Sequence, residues 1–292
     1  MSGAALRARL ADGRWHFQHG PIDLLIGAQG EAAAVQAAVD AAWTRFAGTL
    51  DELVGELALL RAPCAPPGSQ RAHRPSVRGP IARRMVDACR PYAERFGLFV
   101  TPMAAVAGSV AQEIAACFAR TGIRRAWVDN GGDIALYLAP GNAVDVGVVA
   151  DVEAPAIGAR LRIAHDDAPR GIATSGWRGR SFSFGIADAV TVLAGNAAQA
   201  DAAATMIANA VDVAHPLVRR APASALRDDT DLGDRQVTVA VGALPPAAVD
   251  AALAHGERFA RRCIGQGLAV QAMLSLQGRS RIVADHCIEA PA

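Results

Sequence analysis

Residues 200–205, Ala-Asp-Ala-Ala-Ala-Thr, lie in an alanine-rich run that predicts a helix. Because residues four apart on a helix share a face, the Asp201 carboxylate and the Thr205 hydroxyl point the same way. Two oxygen ligands held like this suit a hard cation such as Mg²⁺. An isolated Asp-x3-Thr is more often a solvated helix face, so the metal interpretation depends on the other motifs in the chain.

The composition predicts a folded globular protein. The chain has 292 residues, of which 52% are hydrophobic and 20% charged, enough for one large domain or two intertwined halves. A formal net charge of +1 gives no support for a nucleic-acid or membrane-surface partner. The N-terminal residues lack an apolar core of signal-peptide length, and no apolar run approaches the ~20 residues of a membrane span. We therefore expect a cytoplasmic protein without nucleic-acid or membrane partners, and we leave homo-oligomer formation open.

The cysteine pattern argues against a disulfide framework or a zinc cluster. Five cysteines are widely scattered, and no Cys-x-x-Cys occurs among them. An odd number without regular spacing is typical of reduced thiols, most of them small core residues.

Hydrophobic periodicity predicts an α+β fold. Two strands at 15–18 and 22–26 flank Gly20-Pro21 as a hairpin, and a helical pattern follows over 30–60, with Thr49 as the N-cap of its second part. Further helices are predicted at 81–96, 109–120, 197–211 and 246–263, and further strands at 125–128, 134–138, 144–149, 157–163, 181–184, 187–193, 237–241, 268–276 and 281–283. Runs of strands with helices between them favour this class.

Two glycine-containing segments predict places where a ligand can approach the backbone. Asn130-Gly131-Gly132-Asp133 joins two predicted strands, and as a plain hairpin turn it needs no function. Residues 171–176, Gly-Ile-Ala-Thr-Ser-Gly, are interpreted as a turn whose hydroxyls and N–H groups could bind a phosphate oxygen.

A third segment, 104–109, leads into a predicted helix that Ser109 caps, with Gln112 completing a capping box. Free N–H groups at such a helix start favour an anion, and a carbonyl in the preceding turn could face a cation. The irregular region 62–80 contains arginines and a histidine that could meet phosphate or carboxylate, although a solvated loop is the simpler interpretation.

Taken together, these segments resemble the flavin transferases that move FMN from FAD onto a protein Thr, the ApbE superfamily. The chain is most similar to the UPF0280 branch, whose function is not established. The motifs that carry the resemblance are Thr101-Pro102-Met103, Ala107-Gly108-Ser109-Val110-Ala111, Val128 through Ile134, Ala173-Thr174-Ser175-Gly176 and Asp201 through Thr205. The resemblance implies an ApbE-like (T-fold-like) two-subdomain fold of mixed antiparallel sheets flanked by helices. It treats residues 1–292 as a single ApbE-like domain or two intertwined halves.

The resemblance also implies a site. Mg²⁺ would be held by Asp201, Thr205 and the carbonyl of Ala107, and FAD or a related small molecule would be bound by Asn130, Gly131, Gly132, Asp133, Thr174, Ser175 and Gly176. Two departures from the family pattern stand out. The Lys of the family's Ala-Lys-Gly segment is missing, and residues 181–188, Ser-Phe-Ser-Phe-Gly-Ile-Ala-Asp, replace the family's His-x-x-Asp-Pro-x-x-Gly.

Three functions follow from these observations. The first is Mg²⁺-dependent FMN transfer from FAD. The second is an enzyme or binding protein of pterin or methanopterin-type cofactor biosynthesis on the same scaffold, which the loss of the His-Asp-Pro segment favours. The third is a non-catalytic protein that binds a flavin, nucleotide or pterin, since no clear nucleophile–base pair occurs.

Overall fold

The computed structural model describes residues 3–64, 76–149 and 157–284. The strands are β1 (Leu6–Arg9), β2 (Trp15–His19), β3 (Ile22–Gly30), β4 (Ile123–Asn130), β5 (Asp133–Leu138), β6 (Ala143–Val149), β7 (Ile157–Ala164), β8 (Gly171–Ser175), β9 (Ala189–Ala194), β10 (Val218–Pro222), β11 (Gln236–Val241), β12 (Gln271–Leu276) and β13 (Arg279–Ala284). The α-helices are α1 (Ala32–Ala47), α2 (Thr49–Gly55), α3 (Leu57–Leu60), α4 (Pro80–Phe96), α5 (Val106–Ala115), α6 (Ala197–Ala210) and α7 (Pro246–Gly265).

These elements divide between two compact units. Unit 1 takes Met1–Asp145, Arg162–Ile172 and Gly195–Ala202, and unit 2 takes Val146–Leu161, Ala173–Ala194 and Ala203–Ala292. Strands β6, β7 and β8 and helix α6 therefore each give residues to both units. That the whole chain acts as one domain stays a prediction.

Unit 1 is built on an antiparallel sheet. Its strands follow the order β1-β2-β3-β4-β5, and the first residues of β8 pair with β5. The register places Trp15 opposite Ile26 in the β2–β3 hairpin and Asn130 opposite Asp133 in the β4–β5 hairpin. Helices α1, α4 and α5 bury their apolar faces in one core with the sheet, in which Phe17, Phe46 and Phe118 are fully buried.

Unit 2 has its own antiparallel pairs. Strand β9 pairs with β12, and β12 pairs with β13 in the closing hairpin. Helix α7 packs on β12 and β13, and every residue of β9 is buried. A separate hairpin joins β10 to β11, with a register shift between Arg219 and Arg220. The pair β6–β7, whose strands give residues to both units, forms another two-stranded sheet.

The α+β class and the antiparallel sheets flanked by helices are confirmed. Four local predictions are wrong. Thr49 is the first residue of α2 and donates its hydroxyl to the carbonyl of Arg45, so it is not an N-cap. Ser109 lies inside α5, fully buried, and caps nothing. Residues 181–184 are not a strand, and residues 171–175 are a strand, not a turn.

Among the described residues, no helix is long and apolar enough to cross a membrane. Arg71, His73 and Arg74, side chains of the irregular region that could meet phosphate or carboxylate, lie outside the described residues. Within the irregular region, Arg78 is described, and its backbone N–H donates to Glu56 Oε1 at 2.5 Å.

Candidate functional site

The start of α6 is fixed by two side chains that accept hydrogen bonds from its first backbone amides. Asn196 Oδ1 accepts a hydrogen bond from Gln199 N at 2.9 Å, the geometry of an N-cap. Gln112 Oε1 accepts from Ala198 N at 3.3 Å. Because these amides are satisfied, the α6 start offers little to an anion, and the helix is set to present Asp201 in its second turn.

The Asp201 carboxylate binds the N-terminus of α5. Its Oδ2 accepts a hydrogen bond from Gly108 N at 2.9 Å. Free amides and the helix dipole favour a negative charge at this end, which is typically worth about 0.3–1 kcal/mol. The predicted free anion site at the α5 start is therefore already filled by a side chain of the same unit.

Gly108 allows this close approach. A Cβ on residue 108 would lie 2.2 Å from the carbonyl oxygen of Ala197 and 2.8 Å from Asp201 Cβ. Both distances are shorter than a real Cβ contact, and the closer atom belongs to the backbone. The position that follows Ala107 must therefore remain glycine for α5 to meet the first turns of α6.

The surroundings of Asp201 disfavour its charged form. Although part of the residue is accessible to solvent, desolvation of the carboxyl group raises the pKa of Asp201 to about 7, and hydrogen bonding to the amides of Gly108 and Ala107 opposes this rise. The two amides thus compensate the buried charge only in part.

The carbonyl of Ala107 joins the same group of atoms in unit 1. Asn130, at the end of β4 and buried, donates Nδ2 to Ala107 O at 3.1 Å. Because Ala107 lies within α5, its carbonyl also faces the amide of Ala111 one turn on, so the bond from Asn130 is a second contact on that oxygen. Asn130, Ala107 and Asp201 are therefore connected through the first turn of α5.

The predicted turn after Asn130 is confirmed as a two-residue hairpin loop. Gly131 has φ 68° and Gly132 has φ 103°, values that favour glycine, and Gly132 N donates to Asp129 Oδ1 at 2.8 Å. Asp129 therefore holds the loop, a role that the sequence interpretation did not give it.

Thr205 follows Asp201 by one helical turn on α6, and it is half-buried. Residues four apart share a helix face, as predicted for this pair. Thr205 belongs to unit 2, whereas Asp201 belongs to unit 1.

The predicted Thr174-Ser175-Gly176 segment lies in unit 2, at the end of β8. Thr174 Oγ1 shares a hydrogen bond of 2.9 Å with the hydroxyl of the buried Thr191 on β9, while Thr174 itself is exposed. A Cβ on Gly176 would lie 2.3 Å from the carbonyl oxygen of Asp188. The segment therefore ends a strand and keeps its glycine for packing, whatever else its hydroxyls bind.

Residues 181–188, which replace the family's His-Asp-Pro segment, are held by contacts inside unit 2. Asn209 Oδ1 accepts from Phe184 N at 2.9 Å and from Ser183 Oγ at 3.2 Å. Asp188 Oδ2 accepts from Gln277 N at 2.5 Å, and its other oxygen accepts from Trp177 Nε1 at 3.3 Å. These groups anchor the loop and leave its one carboxylate committed to neighbours.

Each of the three predicted metal ligands carries an oxygen of a kind that binds a hard cation. Asp201 offers a carboxylate oxygen, Ala107 a carbonyl oxygen and Thr205 a hydroxyl, all ligands of the kind that Mg²⁺ takes. In the described ranges, no group of three or more His, Cys, Asp or Glu side chains could hold a metal ion. Of the three predicted ligands, only Asp201 has a side chain that can carry a charge.

Curated relatives resemble part of the chain. They are UPF0280 proteins of Methanothermobacter thermautotrophicus (40% identity over 137 residues, 46% of this chain and 50% of the relative) and of Methanocella arvoryzae (44% over 117 residues, 39% and 46%). The chain spans about half the length of the curated relatives that it matches. Among solved structures, the apo form of the Pseudomonas stutzeri flavinyl transferase ApbE is similar, with 13% identity and a TM-score of 0.42, covering 97% of this chain and 93% of that one. This likeness is too low to transfer the role of a residue.

A family model with the description AbpE bacteria matches residues 7–282. The match covers nearly the whole chain and includes both units. It confirms the resemblance to ApbE-like proteins that the motifs carried, and the chain belongs to this family.

Proposed function

We propose that the protein is an Mg²⁺-dependent transferase that uses FAD as its donor and moves the FMN group to a protein Thr. The observation that carries the proposal is the Asp201 carboxylate, which is desolvated and only partly compensated by two amides in the first turn of α5.

In this proposal, Asp201, Thr205 and the carbonyl of Ala107 hold Mg²⁺. When bound, the ion would neutralise pyrophosphate charge and stabilise the departing phosphate. The chain's own groups keep the carboxylate oriented, because Gly108 N holds its Oδ2 and the amide of Ala107 adds a second contact. Asn130 holds the Ala107 carbonyl in the same way.

The dinucleotide would be bound by backbone N–H groups and hydroxyls. The proposed contacts come from Asn130, Gly131, Gly132, Asp133, Thr174, Ser175 and Gly176. In the transfer, the hydroxyl oxygen of the acceptor Thr forms a bond to the phosphorus of the FMN group. The bond from that phosphorus to the AMP oxygen breaks, AMP leaves with the electron pair, and the hydroxyl proton passes to solvent.

The test is incubation of the purified protein with FAD, Mg²⁺ and a Thr-containing acceptor protein. We expect AMP in the chromatogram and covalently bound flavin fluorescence on the acceptor, both lost with EDTA and in Asp201→Ala. Asp250→Ala is the matched control, because Asp250 is an exposed carboxylate paired with Arg279 on the surface of unit 2. Absence of both AMP and labelled acceptor with the unmodified chain would exclude this activity.

A second candidate function is binding or conversion of a pterin-type ligand in cofactor biosynthesis. The specific observation in its favour is segment 181–188, which lacks the imidazole of the family and commits Asp188 to Gln277 and Trp177. A thermal-shift panel with FAD, FMN and pterins separates the candidates. Stabilisation by a pterin and none by FAD would favour the second function.

A third candidate is a non-catalytic small-molecule binder in the cytoplasm, without nucleic-acid or membrane partners. A ligand at 100 times its Kd stabilises the folded state by about 2.7 kcal/mol, so binding alone is measurable. Stabilisation by FAD without AMP release at any Mg²⁺ concentration would favour this binder over the transferase. Mass measurement in solution tests whether copies of the chain associate.

A further inference from the structure

A cleft of about 390 Å³ opens in unit 1 between the β1–β2 hairpin, the end of β3 and the first turns of α1. The residues of its lining that matter here are Arg9, Trp15, Gln29, Val35, Gln36 and Arg124. This size lies within the range of about 300–1,000 Å³ typical of small-molecule sites. The cleft shares no residue with the proposed Mg²⁺ and dinucleotide site.

The backbone at one end of the cleft is irregular in a specific way. The β3–β4 register shifts between Gln29 and Gly30, and a Cβ on residue 30 would lie 2.2 Å from the carbonyl oxygen of Gly122. Such a bulge re-aims the side chains beside it. The pairing of β3 with β4 therefore shifts beside the cleft and resumes with Gly30 opposite Ile123.

The cleft carries two cations without a carboxylate partner. Arg9 and Arg124 are exposed, and neither forms an ion pair within the residues that the structure describes. The neighbouring arginines differ, since Arg7 pairs with Asp40 at 2.8 Å and Arg14 pairs with its own near neighbour, Asp12, at 2.7 Å. None of the described residues that line the cleft is acidic, so the lining carries a positive charge.

The remaining wall is apolar and aromatic. Trp15 and Val35 are half-buried, and the Arg9 guanidinium lies 5.6 Å from the centroid of the Trp15 ring. Arg7, whose guanidinium lies 4.6 Å from the same centroid, contacts this ring as well, so both arginines make cation–π interactions with Trp15. The amides of Gln29 and Gln36 add hydrogen-bonding groups at the edge.

From this arrangement we infer that the cleft binds a small organic phosphate. The two guanidinium groups bind the phosphate by charge-assisted hydrogen bonds, and the organic part contacts Trp15 and Val35. Arginine is suited to this role because its planar fork matches the oxygens of a phosphate. The site is independent of the proposed transferase activity and would exist in a protein without it.

The experiment uses the full chain and three probes: AMP, adenosine and inorganic phosphate, each titrated by calorimetry in the presence of EDTA. We expect AMP to bind, with adenosine and phosphate each at least about tenfold weaker. Arg9→Gln and Arg124→Gln should each weaken AMP by about tenfold or more. Arg83→Gln is the matched control, an exposed arginine of the same unit outside the cleft, and Asp201→Ala tests independence from the metal site.

Each outcome decides the inference. AMP binding that depends on Arg9 and Arg124 and survives in Arg83→Gln and Asp201→Ala supports it. No AMP binding at millimolar concentration overturns it, as does equal binding of adenosine, or binding that the two cleft variants leave unchanged. Equal affinity for AMP and phosphate would overturn the claim that the organic part of the ligand contributes to binding. If a cleft variant fails to fold by circular dichroism, protection of amide exchange at Gln29–Gly30 by AMP in the unmodified chain replaces it.

Discussion

The raised pKa of Asp201 makes a quantitative prediction about stability. Its pKa rises from 3.8 in a free side chain to about 7 in the folded protein, because desolvation disfavours the charged form. Between these two values the folded state binds more protons than the unfolded state. Stability is therefore fully present at low pH and is lost as the pH rises through about 7.

The magnitude follows from the size of the shift. One pKa unit corresponds to about 1.4 kcal/mol, so a shift of roughly three units sets an upper limit of about 4 kcal/mol for the loss between pH ~4 and pH ~8. Residual solvent access at Asp201 places the expected loss below this limit. Mg²⁺ bound at the carboxylate should restore about 2.7 kcal/mol above pH ~7 when its concentration is 100 times its Kd.

The perturbation that isolates this contribution is Asp201→Asn. The amide oxygen can still accept from Gly108 N, while the charge and its titration are removed. Urea unfolding is followed by tryptophan fluorescence from about pH 5 to about pH 8, with EDTA or with Mg²⁺. The difference in unfolding free energy between the two proteins cancels the titration of the other groups.

Without metal, we expect the unfolding free energy of the unmodified protein to fall relative to that of Asp201→Asn as the pH rises. With Mg²⁺, we expect this relative loss to be reduced. A difference that stays constant across the pH range would refute the desolvation argument. Equal stabilisation of both proteins by Mg²⁺ would refute the assignment of Asp201 as a ligand.

Three further outcomes follow from the contacts around Asp201. Gly108→Ala should cost about 1–3 kcal/mol, because its Cβ would meet the Ala197 carbonyl, whereas Gly55→Ala, which has open space, should change the unfolding free energy by less than about 1 kcal/mol. Asn196→Ala should cost about 1 kcal/mol of unfolding free energy in urea, because the α6 N-cap is lost, and an unchanged value would contradict the cap. Asn130→Ala should leave the fold intact by circular dichroism but weaken Mg²⁺ binding in calorimetry by about tenfold, since the Ala107 carbonyl loses its anchor; unchanged affinity would remove Ala107 from the ligand set.

The parts of the fold that local sequence predicts are those whose signals lie within one element. The β2–β3 hairpin, α6 and α7 carry clear periodicity, and all three occur where that periodicity places them. The strand at 171–175 was missed because small residues give a turn-like signal. Its pairing comes from β5, where Ile134 lies opposite Ile172, a partner far away in the sequence.

The candidate site likewise combines features that a local sequence pattern predicts with contacts between distant residues. The Asp201–Thr205 spacing and the Gly131-Gly132 turn are local, and their geometry is visible in the sequence. The bond between Asp201 and Gly108 joins residues 93 positions apart, so no local pattern reports it. Asn196 did leave a local signal, since an Asn directly before an alanine-rich run is a helix N-cap, and that signal was missed.

The hydrogen bonds from α5 compensate the charge of the Asp201 carboxylate in part, and the proposed cation would compensate the remainder. If the amides of α5 satisfied the charge completely, they would hold the pKa of this group at or below its ordinary value, as hydrogen bonds to a carboxylate do. The pKa instead rises to about 7, so the effect of desolvation on this pKa is larger than the opposing effect of the hydrogen bonds from Gly108 and Ala107. A carboxylate that only capped α5 could be replaced by Asn at little cost, and the protein would then be more stable near neutral pH. Retaining the acid is therefore costly without a cation, and this cost is the physical reason to expect Mg²⁺ at Asp201.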